Sequence, residues 1–232
     1  MAANTTNENV WNTAYQVPET DPATPDSLAL SACVDTKAVN AGLSGIRMDY
    51  ASSTDNRIEE TGMDFWESEE NIWHNWTYFG KSDPASGAAC LLTDDVTHLY
   101  IRNSSSGAIA QWTWNYYDQY VNGVAGWSTA TTGPSTTGRT DLAAATDGDG
   151  TDYVFYQDND GNLVRMLEYG QGLTNDLVIG PAARESRFAA AYGAIGSNEG
   201  VFVIYWTSDS PPQAVYRQLD RSGTVLLSGT LG

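Results

Sequence analysis

The chain is predicted to be all-β, a β-propeller of four-stranded antiparallel blades, and three features of the sequence point there. A unit of about 50 residues recurs four times. Inside each unit, short runs of β-branched, aromatic or alternating residues are separated by turn-rich segments, the pattern of strands joined by hairpins. No segment carries the periodicity of an amphipathic helix.

The first element of each unit is a strand of small residues: Leu28 to Val34 (LALSACV), Ala88 to Thr93 (AACLLT), Leu142 to Thr146 (LAAAT) and Phe188 to Tyr192 (FAAAY). Small side chains suit strands that converge near a central axis, where neighbouring backbones crowd one another. The second element is richer in aromatic and β-branched residues, which favour pleated structure: Ile46 to Tyr50, His98 to Arg102, Tyr153 to Gln157 and Phe202 to Trp206.

Polar turns follow (STDN, NSSSG, DNDGN, SDSPP) and lead into third strands at Arg57 to Thr61, Ala108 to Trp114, Leu163 to Tyr169 and Ala214 to Leu219. Outer strands are placed at Trp73 to Phe79, Trp127 to Thr131, Leu177 to Gly180 and Thr224 to Ser228. A two-sheet sandwich requires no fixed internal period, whereas radially stacked blades do. Trp112 and Trp114, two apart on one strand, read as core between blades.

Residues 28 to 232 form the expected propeller domain, with repeats at about 28–80, 86–132, 140–181 and 187–230. Residues 1 to 27 hold one expected strand, Val10 to Val17, placed to complete the last blade. Closure of the ring within the chain and completion by a homo-oligomer are both left open.

The formal net charge of −18, from 29 acidic against 11 basic residues, repels phosphate backbones and anionic headgroups and speaks against nucleic-acid partners. No apolar run is long enough for a membrane span, and the polar start, Met1 to Val10, lacks the pattern of a signal peptide. Few lysines and three Asn-x-Ser/Thr sequons, at Asn4, Asn75 and Asn103, lean toward a secreted or extracellular setting, with a cytoplasmic one left open. Cys33 and Cys90 are too few for a disulfide framework or a four-ligand zinc site and read as two buried small hydrophobes.

The hairpins Ile46 to Glu60 (IRMDYASSTDNRIEE), His98 to Asn115 (HLYIRNSSSGAIAQWTWN) and Tyr153 to Tyr169 (YVFYQDNDGNLVRMLEY) resemble the fungal fucose-binding lectins of the Aleuria type. Repeats of that family run near R-[IV]-Y-Y-Q, a D/N-G turn, I-x-E and then an aromatic. The resemblance lies in the repeat pattern and covers about 28 to 232. It implies pockets between blades, in which an Arg on the second strand and a Glu or Gln on the third bond sugar hydroxyls beside an aromatic platform.

By that resemblance the first repeat offers Arg47 and Glu60 with Trp73 or Trp76 as platform, although its turn is one residue longer than the family's usual form. The second repeat has His98 in place of the Arg, keeps Gln111 and offers Trp127. The third pairs Tyr153 with Arg165 and the fourth Phe202 with Arg217, which reverses or removes the donor–acceptor logic. A plainer reading of the first repeat pairs Arg47 with Asp49 and leaves Glu60 as a solvated hairpin residue.

The runs Asp147-Gly-Asp149-Gly-Thr151 and Asp158-Asn-Asp160-Gly-Asn162 alternate oxygen ligands as calcium loops do, but they lack a closing Glu, so tight turns are the leading reading, Ca2+ a minor one, and no cofactor is expected. Glu67, Glu69 and Glu70 read as a solvated loop. With His74 and His98 the only histidines, there is no H-E-x-x-H, G-x-S-x-G or phosphate loop. The sequence therefore predicts a non-enzymatic, lectin-like protein that recognises fucose or a related glycan. Its alternatives are a degenerate propeller serving as a protein-interaction scaffold and, behind that, a glycosidase-like propeller.

Overall fold

The computed structural model describes residues 29–34, 46–52, 55–63, 73–93, 96–115, 127–147, 149–168, 172–184 and 186–231. The expected strand Val10 to Val17 and the acidic run Glu67, Glu69 and Glu70 lie outside these residues. No helix occurs among the described residues.

Among the described residues sixteen strands form four antiparallel sheets of four, each sheet ordered as its strands occur in the chain. Blade 1 comprises β1 (Leu30–Val34), β2 (Ile46–Ala51), β3 (Arg57–Met63) and β4 (Trp73–Lys81). Blade 2 comprises β5 (Ala88–Thr93), β6 (Val96–Arg102), β7 (Ala108–Asn115) and β8 (Ser128–Ser135). Blade 3 comprises β9 (Leu142–Thr146), β10 (Asp152–Gln157), β11 (Asn162–Glu168) and β12 (Thr174–Pro181). Blade 4 comprises β13 (Ala189–Ile195), β14 (Asn198–Trp206), β15 (Ala214–Leu219) and β16 (Val225–Thr230).

The inner strands β1, β5, β9 and β13 stand side by side in that order, where Ala89, Ala143 and Ala145 let the backbones approach. Among the described residues, β13 does not return to pack on β1 as each inner strand packs on the next.

Strand alternation sends one set of side chains toward the next blade and the other toward the preceding one. Ile58 and Phe79 of blade 1 meet Leu99, Ile101 and Ala110 of blade 2. Tyr100 and Ile109, on the other face of blade 2, meet Val154, Tyr156, Val164 and Met166 of blade 3. Tyr153, Phe155 and Leu163 of blade 3 meet Val201, Val203, Tyr205 and Leu219 of blade 4. Each fully buried aliphatic or aromatic residue of these layers contributes about 1.5–3 kcal/mol of transfer free energy.

Trp112 and Trp114 join the layer between blades 1 and 2, as the sequence predicts: Trp112 packs on Phe79 and Trp114 on Trp127. Among the described residues nothing comparable is met on the far side of blade 4, and Ile204 and Trp206 are 40% and 47% exposed.

Cys33 and Cys90 are not two free buried thiols. They form a disulfide, Cα to Cα 5.7 Å, between β1 and β5. Adjacent inner strands bring the two residues together although 57 positions separate them.

The hairpin tips are tied to the segments that link blades. Arg102 donates to Asp83 at 2.6 Å and to the Thr136 hydroxyl and carbonyl, gripping the linkers before and after its own blade. In blade 3, Gln157 Nε2 donates to the Gly161 carbonyl of its own hairpin and to the Ala182 carbonyl of the linker that follows the blade.

Candidate functional site in the clefts between blades

Counting cross-strand pairs from each hairpin places four sets of residues in equivalent positions. The third pair is Asp49 with Glu60, Tyr100 with Gln111, Phe155 with Arg165 and Ile204 with Tyr216. Two residues earlier on the second strand stand Arg47, His98, Tyr153 and Phe202. In the first three blades a β-bulge in the outer strand follows at this level: the pairing skips Trp76 next to Glu60, Ala130 next to Gln111 and Asp176 next to Arg165. Bulges re-aim a side chain, and this one recurs beside the same third-strand position.

In the first cleft Glu60 is fully buried, so it is not the solvated hairpin residue of the plainer reading. Its Oε2 accepts a 2.9 Å hydrogen bond from Trp127 Nε1, across the gap to blade 2. The Trp127 ring stacks on Phe79, centroids 4.5 Å apart at 15°, and meets Trp114 edge-on. Trp127, expected to serve the second repeat's cleft, therefore belongs with Glu60. Arg47 pairs with Cys33 and Gly62 in the ladder, Trp73 pairs with Met63, and Trp76 is the bulge residue; the side chains of these three lie outside the described set.

The second cleft is a polar chain between blades 2 and 3. Asp152 Oδ2 accepts from His98 Nδ1 and from the Tyr100 hydroxyl, each at 2.5 Å, and Tyr100 in turn accepts from Gln111 Nε2 at 3.0 Å. Burial first, and the Asp152 carboxylate second, push Tyr100 well above its ordinary pKa, so it stays a phenol that donates. The residue before the outer strand, Trp127 in blade 2, is Leu173 in blade 3, and it closes this cleft with aliphatic surface.

The third cleft is filled by the protein itself. Arg165 is fully buried and its guanidinium donates to both oxygens of Asp176 and to the carbonyls of Asp220 and Arg221 in blade 4. It also lies over the Tyr153 ring at 5.5 Å. Arg165 clamps two blades and commits its Nε, Nη1 and Nη2 groups to the protein.

In the fourth blade the pairing of Phe202 with Arg217 does not hold. Phe202 lies opposite Gln218, and Arg217, opposite Val203, turns back to bond the Ile179 carbonyl of blade 3. Tyr216 takes the third-strand position instead.

The Asx-rich runs act as turns. Asp147 Oδ1 accepts from the amides of Asp149 and Thr151, and Asp158 Oδ1 from those of Asp160 and Asn162. Gly161, at φ 85°, supplies the left-handed residue the second turn requires.

Asp152 and Asp176 escaped sequence reasoning. Each acts at a position set by another strand or blade, and only the bulge at Asp176 leaves a trace, a one-residue offset that local patterning does not reveal.

No protein-family model matches the chain, and no curated protein matches it. Solved structures do. A fucose-specific lectin from Aleuria aurantia matches with a TM-score of 0.63 at 16% identity, over 88% of this chain and 61% of that one. Another structure of the A. aurantia lectin, described as a six-bladed β-propeller, matches with a TM-score of 0.66 at 16% identity over 90% of this chain and 63% of that one. The AofleA protein of Arthrobotrys oligospora matches with a TM-score of 0.66 at 14% identity, over 90% and 57%. The chain thus spans about three-fifths of the length of these neighbours. Four successive four-stranded blades, packed as in those propellers, make this chain an all-β protein with the propeller fold of the fungal lectins.

Proposed function

We propose that the chain is a non-catalytic carbohydrate-binding protein whose first cleft, between blades 1 and 2, takes fucose or a related sugar. The observation that carries this reading is the pairing of Glu60 with Trp127: a fully buried carboxylate held against an indole N–H at an inter-blade gap. A carboxylate is costly to bury, and a cleft that combines one with aromatic surface has the chemistry a sugar asks for, an acceptor for hydroxyls beside an apolar wall.

Arg47 supplies the donor in this reading, one strand away and two residues from the partner of Glu60. Of the two platforms expected from the sequence, Trp76 is favoured over Trp73, because it occupies the bulge that in blade 3 carries Asp176 beside Arg165. The neighbours named as fucose-specific lectins support the choice of ligand class. The disulfide supports an oxidising, extracellular setting. Glycoconjugates are the partners in this reading, calcium has no role in it, and homo-oligomerisation would add avidity.

The test is titration of the full chain with methyl α-fucoside, with a glycan array beside it. Arg47→Ala is expected to abolish retention while leaving far-UV dichroism unchanged. Undiminished binding by that variant would remove the first cleft from consideration.

A second reading, a protein-interaction scaffold, has one observation in its favour: the exposure of Ile204 and Trp206 on blade 4. A blank array with the wild-type chain would favour it.

A further inference from the structure

The linkers between successive blades are each held to the hairpin of the blade before. The amides of Ser82, Thr136 and Ala182 donate to the carbonyls of Asn56, Gly107 and Gly161 at 2.9, 2.9 and 3.0 Å. In two linkers the next residue reaches forward: Asp83 N donates to the Arg102 carbonyl at 2.7 Å and Ala183 N to the Trp206 carbonyl at 2.8 Å. Isolated bridges, Ser82 with Asn103 and Ala182 with Thr207, seal those two linkers to the blade that follows.

The linker between blades 2 and 3 is seated differently. Thr137, the counterpart of Asp83 and Ala183, gives its amide to Asn159 Oδ1 at 2.6 Å and its hydroxyl to the same oxygen at 2.9 Å. The position of Asn159 is held by the shorter Ser104 in blade 2 and Ser208 in blade 4. The longer amide side chain props the linker away from the end of β10, and a cavity of about 180 Å3 lies between them. That is roughly the room of six waters.

Arg139 on this linker and Arg184 on the next both line the cavity, as do Asp158 and Asn159. Acceptors on the wall are engaged within the protein. Asn159 Oδ1 takes both donors of Thr137, and Asp158 Oδ1 accepts from the amides of Asp160 and Asn162. The Thr136 carbonyl accepts from Arg102 and the Gly138 carbonyl from Thr136 Oγ1. By contrast, Asn159 Nδ2 and the Arg184 guanidinium make no hydrogen bond among the described residues. A small cavity rich in donors, with its acceptors spent, suits a small ligand that only accepts.

We propose that this cavity is an oxyanion site that takes a sulfate or phosphate group, free or as the ester of a larger molecule. Arg139 and Arg184 supply the positive charge, and Asn159 Nδ2 supplies a neutral donor. Charge-assisted bonds from guanidinium to such oxygens are the strong ones. The chain carries 11 basic residues against 29 acidic, so two arginines at one cavity make a local exception to its field. Carboxylates farther off than about 8 Å are largely screened at physiological ionic strength. The site lies at the hairpin end of blade 3, and it is independent of the carbohydrate-binding reading.

The experiment is a titration of the 15N-labelled full chain with sodium sulfate and with sodium methyl sulfate, ionic strength held at about 0.15 M with sodium chloride. Saturable shifts of the Thr137 and Asn159 amide signals are expected, and the tighter of the two probes tells a free anion from an ester. Arg139→Gln and Arg184→Gln should each weaken binding about tenfold or more. Asn159→Asp keeps the acceptor for Thr137 but puts a carboxylate oxygen where Nδ2 stood, and should abolish the shifts with the remaining spectrum unchanged. Arg57→Gln, which removes the same charge from the blade 1 hairpin, should leave binding intact. Shifts that stay linear for both probes, undiminished binding by Arg184→Gln, or equal weakening by Arg57→Gln overturns the proposal.

Discussion

Trp127 Nε1 donates to Glu60 Oε2 at 2.9 Å, and that bond joins blade 2 to blade 1 across 67 residues of sequence. The indole is held in place by its stack on Phe79, so the hydrogen bond and the ring packing can be separated. Trp127→Phe keeps the stack and removes the donor, and is expected to cost about 1–2 kcal/mol. Trp127→Ala removes both, for about 3 kcal/mol or more. Urea unfolding of the two variants measures the difference; equal midpoints for Trp127→Phe and wild type would show that the bond contributes nothing.

Arg165 gives the largest single-residue prediction. Its removal strips Asp176 of its partner and leaves the carbonyls of Asp220 and Arg221 without their donor. Arg165→Met is expected to lose about 3–5 kcal/mol, as when one member of a buried pair is deleted. Asp176→Asn, which keeps an acceptor at the same place, should lose clearly less. Denaturation midpoints of both variants check the order.

The disulfide closes a long loop between neighbouring inner strands, with 57 residues of separation. Restriction of the unfolded chain by such a link is worth about 4 kcal/mol. Cys33→Ser with Cys90→Ser is expected to lose that amount, and amide exchange should quicken first in β1. Peptide mapping without reductant verifies the bond itself.

Asp141 supplies a pH dependence. Burial raises its carboxyl above the ordinary range, while the Phe188 amide at 2.8 Å and the charge of Arg187 offset this only in part. With the folded pKa above the unfolded one, the folded state is penalised for the charge at higher pH, and the penalty disappears as pH falls through the folded value. Relative to Asp141→Asn, wild type should therefore gain stability between neutral and mildly acid pH. A constant difference in unfolding midpoint across that range would contradict the assignment.

Individual residues show where sequence reasoning stopped. The small-residue strand Leu142–Thr146 and the hairpin around Asp158 to Asn162 were legible because alternation and turn chemistry are local. Arg217 was misplaced because its hairpin is longer: Trp206 pairs with Ala214, leaving seven residues between them, against five between Gln157 and Leu163 in blade 3. A slip of one position exchanges the two faces of a strand, so Tyr216 and not Arg217 stands in line with Glu60. Likewise Cys33 and Cys90 carry no local mark of their bond, which exists because β1 and β5 are adjacent.

The sequence by itself determined that this is a run of four related four-stranded units, and which position of each hairpin bears polar residues. Tertiary structure alone decided which residues share a cleft, because every cleft lies between two blades. Its members come from repeats some fifty residues or more apart, as with His98 and Asp152, 54 apart, or Arg165 and the Asp220 carbonyl, 55 apart. Hydrophobic burial stacks the blades without reference to that distance, and the hydrogen bonds across the gaps then settle which polar side chains are spent on the fold and which are left for a ligand.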